Sequence, residues 1–266
     1  MRAYRKLASI ALQQTIAYRA GFFLGLLGPM FFLLAMLYLW NTLLRHGGRA
    51  AGLDVHQMRA YLVVAFVCGN LVSMWTDFSI SNKIRDGSIA LDLAKPIDYQ
   101  RARLSETLGV AVFELGSAIL VGAVAILVLW LVGDPAQAPS TSSSLLFVLS
   151  LTLVVPLKFC ISYITGLACF WTQNYFGVSM ARQAVTNLMS GALAPIALFP
   201  HWFQQLAAWL PFQAIASTPA LIFLGKKSGT AAWEAIGIQA LWVVAMLVIS
   251  RTIFNLALRK LTVHGG

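Results

Sequence analysis

Six long apolar segments constrain the fold of this chain more than any other feature of its sequence. An α-helix rises 1.5 Å per residue, so about 20 residues cover a bilayer core of ~30 Å. Backbone groups in lipid must be hydrogen-bonded within the protein, and the segments lack the alternating pattern of membrane strands. We therefore predict an all-α integral membrane protein with six transmembrane helices, at residues 22–44, 58–80, 104–132, 145–171, 182–199 and 235–258.

The positive charges predict how these helices are oriented. Apolar residues make up 59% of the chain and charged residues 11%, so a basic surface for nucleic acid has no polar domain to occupy. With both termini in the cytosol, 13 of the 19 Lys and Arg residues lie on the cytosolic side and 5 outside, with Lys158 inside a span. Because cytosolic loops are enriched in Lys and Arg, we predict a multi-pass protein of the cell membrane with cytosolic termini, surrounded by lipid.

Two further features of the sequence concern segments that do not span, and a third concerns the cysteines. Residues 1–21 predict an amphipathic helix along the inner leaflet that bends at Gly21 into the six-span domain, 22–266. Its alternative is a cytosolic helix of no special role. Prolines cut residues 200–225 into pieces too short to cross, which predicts re-entrant helices dipping in from the outer face. Cys68, Cys160 and Cys169 lie in apolar runs without metal-ligand spacing, so we expect no metal and no disulfide.

The loop at 81–103 carries 8 of the 28 charged residues. We expect residues 83–86 to extend the second span and Gly87 to end that helix in the left-handed conformation. Ser88 then caps a short helix that bears Ile89, Leu91 and Leu93, and Lys95-Pro96 ends it, since the residue before proline disfavours helix. Asp98 caps the helix that leads into the third span. A solvated connector that only preserves topology is the alternative.

Polar side chains recur on one face of two predicted spans. In the second span these are Asn70, Ser73, Asp77 and Ser81, and in the fifth they are Gln183, Thr186, Asn187 and Ser190. Polar groups avoid lipid, so each face is expected to contact protein or a water-filled cavity. Ordinary hydrogen bonding between helices, worth about 0.6 kcal/mol per contact, is the alternative.

Two ionisable residues lie deeper in the predicted spans. Glu114 is ~15 Å of helix from the cytosolic end of the third span, and Lys158 is ~21 Å from that of the fourth. A lone charge near the bilayer centre costs about 2.5–3.5 kcal/mol, so each needs a partner. We predict an ion pair between Glu114 and Lys158 that joins the two spans and does not touch substrate.

One pattern in the loop resembles a known family. Residues 84–89 (IRDGSI) followed by 93–97 (LAKPI) resemble the coupling segment in permease subunits of ATP-binding-cassette exporters of the second permease type, ABC-2. The basic entry helix, the proline-punctuated segment 195–225 and the short basic tail, from Arg259-Lys260-Leu261 to Gly265-Gly266, also resemble that family. The residues that this resemblance implies for coupling to the ATPase are Asp86, Gly87, Ser88, Ile89, Leu91, Asp92, Lys95 and Pro96.

The resemblance implies a division of labour between chains. Two six-span permease subunits form the pathway, and two separate nucleotide-binding subunits bind ATP and magnesium and dock on the cytosolic loops. The implied activity is export of a drug, antibiotic, lipid or glycan. The family lines its central cavity mainly with the second and fifth spans, so the resemblance implies that the two polar faces line the substrate pathway. The chain itself shows no phosphate loop, because Ala220 stands where the first Gly belongs and Lys227 where the hydroxyl belongs. We therefore expect a transport subunit without cofactor or catalytic residues of its own.

Two other classes of protein remain as alternatives. An ion-coupled secondary carrier would use intramembrane charges as coupling sites and typically shows internal repeats, but we find no convincing repeat between the two halves of this chain. A scaffold membrane protein would leave the punctuated loop and the two polar faces without a purpose.

Overall fold

The computed structural model describes residues 2–45, 48–72, 75–131, 140–172 and 174–259. Ser73, at the centre of one predicted polar face, and the basic tail from Lys260 lie outside these residues. Eleven α-helices form within the described part: α1 Arg2–Ala17, α2 Arg19–Leu44, α3 Val55–Asn70, α4 Trp75–Arg85, α5 Ile89–Leu93, α6 Tyr99–Leu131, α7 Thr141–Leu167, α8 Tyr175–Met189, α9 His201–Ala208, α10 Ser217–Phe223 and α11 Gly229–Leu258. Three short 3-10 helices add to them, at Ala168–Phe170, Ile196–Leu198 and Pro211–Ala214.

Three of the described helical segments are long and apolar enough to cross a membrane: Arg19–Leu44, Thr141–Phe170 and Gly229–Leu258. They contain the first and sixth predicted spans in full and the fourth except for its last residue, Trp171. The third prediction falls in α6, which has 33 residues, although its final residue, Val132, lies outside the described part. The all-α prediction is therefore confirmed, while the count of six spans and the cytosolic termini stay predictions.

The second and fifth segments are not the continuous helices that their apolar patterns predict. Residues 58–80 divide between α3, with 16 residues, and α4, with 11, and the α3 helix ends before Leu71. The fifth segment, 182–199, falls on the end of α8 and on a turn after it, where Gly191 has a φ of 79°. Tertiary contacts override the apolar pattern in the second segment, whereas Gly191 and Pro195 are local signals for the end of the helix in the fifth.

The centre of the fold lies around α7. It packs against α4, α10 and α11, and more than half of its residues are buried. A Cβ at Gly166 would stand 2.8 Å from the Cβ of Ile80, so only glycine permits this approach of α7 to α4. On the other side the buried amide of Gln239 accepts a hydrogen bond from the Ser150 hydroxyl at 2.8 Å and donates to the carbonyls of Ser150 and Ala214. These contacts fix α11 to α7.

Helix α1 has the predicted amphipathic pattern, but its less exposed face lies against another helix. Its less exposed residues are Tyr4, Leu7, Ala8, Ala11, Leu12 and Thr15, and the helix packs against α6. A Cβ at Gly109 would come within 2.1 Å of the Ala8 carbonyl oxygen, so α1 and α6 pack backbone to backbone. The bend predicted at Gly21 is wrong, because α1 ends one residue before Tyr18 and Gly21 lies inside α2.

The proline-punctuated segment forms short helices, as predicted. Pro200 precedes α9, Pro211 begins a 3-10 helix and Pro219 lies in the first turn of α10. The missing N–H of proline is harmless at these positions, since first-turn N–H groups have no partner within the helix. Their location at the outer face stays a prediction.

Candidate functional site

The charged loop is an ordered segment with an internal helix. Helix α4 ends at Arg85, and Gly87 follows with a φ of 76°, as its predicted role requires. The cap predicted at Ser88 is wrong, because Ser88 itself has helical φ and ψ and makes no capping hydrogen bond. Its N–H and hydroxyl donate instead to Oδ1 of Asp86, at 2.9 and 2.7 Å. These two hydrogen bonds from Ser88 are the main cause of the lowered pKa of the Asp86 carboxyl.

One side of helix α5 packs against the rest of the protein, and the opposite side is exposed. Ile89 is 1% exposed and packs into the hydrophobic core around α7. Leu91, two residues later, is 72% exposed. Helix α5 therefore exposes the apolar side chain of Leu91, while Ile89 on its other side packs in the hydrophobic core.

Asp92 is the electrostatic centre of the loop. Its carboxylate contacts Lys83 Nζ of α4 at 2.6 Å, Lys95 Nζ at 2.7 Å and Arg103 Nη2 of α6 at 3.3 Å. Burial acts to raise the pKa of Asp92, but the hydrogen bonds from the lysines and the nearby positive charges outweigh it and hold the pKa at about 2. One carboxylate thus joins α4, α5 and α6 at neutral pH.

The end of the loop is anchored to two further helices. Asp98 accepts a hydrogen bond from the Arg101 N–H at 2.9 Å, which confirms the predicted cap of α6. Its carboxylate also contacts Arg251 Nη1 of α11 at 2.5 Å. The Asp98 N–H donates to the Tyr4 hydroxyl of α1 at 3.2 Å. Between Lys95 and Asp98, Pro96 interrupts the helical conformation as predicted.

The polar face of the second segment is divided by the break between α3 and α4. Asn70 donates to the Phe66 carbonyl of its own helix. Asp77 is fully buried and its Oδ2 contacts both the Ser179 hydroxyl and Arg182 Nη2 of α8, each at 3.2 Å. Ser81 is also buried and donates to the Phe78 carbonyl. The described contacts of this face are therefore with protein.

The polar face of the fifth segment separates into buried and exposed members. Thr186 and Ser190 are buried, Asn187 is half-buried and Gln183 is exposed. The Ser190 hydroxyl oxygen accepts a hydrogen bond from the Ala192 N–H in the turn after α8, at 3.3 Å. A role for these residues in a substrate pathway stays a prediction.

Lys158 and Glu114 meet at the break in the second segment. Lys158, 6% exposed, donates to the carbonyls of Cys68 at 3.3 Å, Gly69 at 2.6 Å and Leu71 at the end of α3. Glu114, 2% exposed, accepts from the Val72 N–H at 2.6 Å, and its charge attracts that of Lys158. The predicted direct ion pair stays a prediction, but both side chains stabilise the same interruption. Val72 has a φ of 55°, which strains a β-branched residue.

Sequence reasoning missed two groups of residues at these sites. Lys83 and Arg103 were placed in the loop without a role, although their charge is opposite to that of Asp92. That complementarity was the available signal. The break at Leu71 and Val72 had only a weak local signal, Gly69-Asn70, because it depends on side chains from α6 and α7.

Long apolar helices and an ordered charged loop fixed between two of them define an all-helical membrane protein. The chain belongs to the ABC-2 family of transporter proteins, whose family profile matches residues 30–265. Membership makes it a membrane permease that associates with ATPase subunits, and it confirms the resemblance noted in the sequence. No curated protein matches the chain.

Proposed function

We propose that this chain is the permease subunit of an ATP-driven exporter and couples to its ATPase subunits through the loop at 81–103. Two nucleotide-binding subunits bind ATP and magnesium. A second permease, either another copy or a sibling, completes the pathway. Family membership supports the transport role, and the construction of the loop supports the coupling role.

The observation that carries the proposal is the single carboxylate that joins three helices behind an exposed leucine. A partner that binds Leu91 acts on α5, a helix of only 5 residues. Asp92 connects α5 directly to α4 and to α6 through short ionic contacts. A displacement of Leu91 would therefore be transmitted to both helices through these ionic contacts and not through a flexible linker.

The proposed substrates are amphipathic compounds: drugs, antibiotics, lipids or glycans. We assign Asn70, Ser73, Asp77, Gln183, Thr186, Asn187 and Ser190 as candidate pathway residues. The exposure of Gln183 and the partial exposure of Asn187 and Asn70 support their inclusion. Asp77 would join the pathway only if α4 and α8 separate during transport, because its described partners are on α8.

The coupling role is tested by association with the ATPase subunit. Leu91→Asp places a charge at the centre of the proposed contact, so its affinity for the ATPase subunit should fall by at least about tenfold. Asp92→Ala should reduce association by loosening α5. Ala3→Asp, at an exposed position on α1, is the control for the added charge.

The measurement is co-purification of the two subunits, followed by ATPase activity of the complex in lipid nanodiscs. Thermal unfolding of each permease variant separates lost contact from lost fold. Unchanged association in both Leu91→Asp and Asp92→Ala would rule out this loop as the coupling contact.

A further inference from the structure

A cavity of about 200 Å³ lies behind the coupling loop, between α1 and the beginning of α6. Three cations and two anions line it, so its formal charge is +1. Its remaining lining is apolar or aromatic. The full lining is Leu7, Lys83, Asp92, Lys95, Ile97, Tyr99, Ala102, Arg103 and Glu106.

Hydrogen-bond donors around this cavity outnumber the acceptors. Within the described part of the chain, the buried Nε of Arg103 and the hydroxyl of Tyr99 have no hydrogen-bond partner. Tyr99 is 4% exposed, and the Arg103 side chain is 11% exposed. Leaving a buried polar group without a partner is unfavourable, so both groups favour a ligand that accepts hydrogen bonds.

The lysines add further donors. Each ammonium has three N–H groups, and Lys83 and Lys95 each use one on Asp92. The carboxylates are already engaged, because Asp92 contacts three cations and Glu106 contacts Arg103 Nη1 at 2.8 Å. A ligand suited to this cavity is therefore an anion with several acceptor oxygens and no need of an acceptor from the protein. A phosphate group has this chemistry.

We propose that this cavity binds the phosphate of an anionic phospholipid from the cytosolic leaflet. The charge count of the sequence locates the loop at that leaflet, where basic pockets beside membrane helices bind anionic headgroups. Helix α1, which contributes Leu7 to the wall, also exposes Ile10 and Ile16, apolar side chains suited to the acyl region. The bound lipid would connect α1, the loop and α6 at the point where Asp92 joins the helices.

The proposal does not depend on coupling to an ATPase, so it is tested on the purified permease alone. Native mass spectrometry of the permease titrated with phosphatidylglycerol or phosphatidylcholine measures binding of each lipid. We expect phosphatidylglycerol to bind at least about tenfold more tightly. Lys83→Gln removes a charged donor and should weaken phosphatidylglycerol binding by about tenfold. Lys6→Gln, an exposed lysine on α1 outside the cavity, is the control of equal charge.

Tyr99→Phe is the sharper variant, since it removes only the hydroxyl. We expect about fivefold weaker binding of phosphatidylglycerol with unchanged or higher thermal stability, because a buried hydroxyl without a partner is removed. A purely structural Tyr99 would leave lipid affinity unaltered. Three results would overturn the proposal: equal affinity for the two lipids, equal effects of Lys83→Gln and Lys6→Gln, or no effect of Tyr99→Phe. Full displacement of the lipid by inorganic phosphate at equal concentration would identify a free anion as the ligand and equally overturn it.

Discussion

Replacing Lys158 by Met should be among the most destabilising single changes in the chain. The ammonium donates to three carbonyls at the end of α3, and each hydrogen bond to a charged donor contributes about 1.5–3 kcal/mol. Removing the charge also removes its own cost of burial in the membrane, about 2.5–3.5 kcal/mol. The difference predicts a net loss of about 2–5 kcal/mol in the free energy of unfolding, similar to the effect of breaking a buried ion pair.

Glu114→Gln should be milder, because the amide oxygen still accepts from the Val72 N–H. The expected loss is about 1 kcal/mol, the value of one hydrogen bond that is no longer assisted by charge. In the double variant neither charge remains, so its loss should be smaller than the sum of the two single losses by about 1–2 kcal/mol.

These losses can be measured by unfolding in mixed micelles with increasing sodium dodecyl sulfate, followed by tryptophan fluorescence. Lys226→Met is the matched control, because Lys226 also donates to a backbone carbonyl, that of Gly52 at 3.3 Å, but in an exposed position. It should lose less than about 0.5 kcal/mol. A Lys158→Met loss no larger than that of the control would refute the stabilising role of the three contacts. Exact additivity in the double variant would refute the coupling between the two charges.

Two further predictions concern the contacts of α6 and the loop. Gly109→Ala should cost about 1–3 kcal/mol in thermal unfolding, because the new methyl group meets the Ala8 backbone, whereas Gly116→Ala on the same helix has nothing within 4 Å and should be nearly neutral. Equal effects would show that α1 does not pack closely on α6. Since the pKa of Asp92 is held at about 2, below the ordinary value of ~3.9, its ionised form stabilises the fold above about pH 4 and that contribution disappears as the pH falls toward about 2. The difference in melting temperature between the wild type and Asp92→Asn should therefore be smaller at pH 3 than at pH 6, and a constant difference would contradict the ionic role.

The loop was largely predictable because its boundaries are set by neighbouring residues. Gly87 adopts a positive φ that few other residues tolerate, Pro96 disfavours helix in the residue before it, and Asp98 caps the next helix from within the same turn. Only Ser88 departed from the prediction. The hydroxyl and N–H of Ser88 donate to the carboxylate of Asp86, two residues earlier, and the hydroxyl does not cap α5.

The break in the second segment was only weakly signalled by its local sequence. Gly69 and Asn70, residue types typical of a helix end, lie directly before it, but the apolar residues resume with Leu71 and Val72. The break is stabilised by Glu114 and Lys158, which are distant in sequence. The fifth segment is different, since Gly191 and Pro195 lie inside the predicted span and are local signals for its end. There the apolar pattern was given too much weight.

The distance in sequence between the break and its two charged partners orders events during synthesis. Glu114 follows Val72 by 42 residues, and Lys158 follows Leu71 by 87. At a translation rate of about 5–20 residues per second, the carboxylate is made roughly 2–8 s after the break and the ammonium roughly 4–17 s after it. The time before synthesis of the Lys158 donor for the α3 carbonyls is therefore about twice the time before synthesis of the Glu114 acceptor for the Val72 N–H. Until Lys158 is made, these carbonyls need other hydrogen-bond donors, either water or the N–H groups of a helix that continues through residues 70–72.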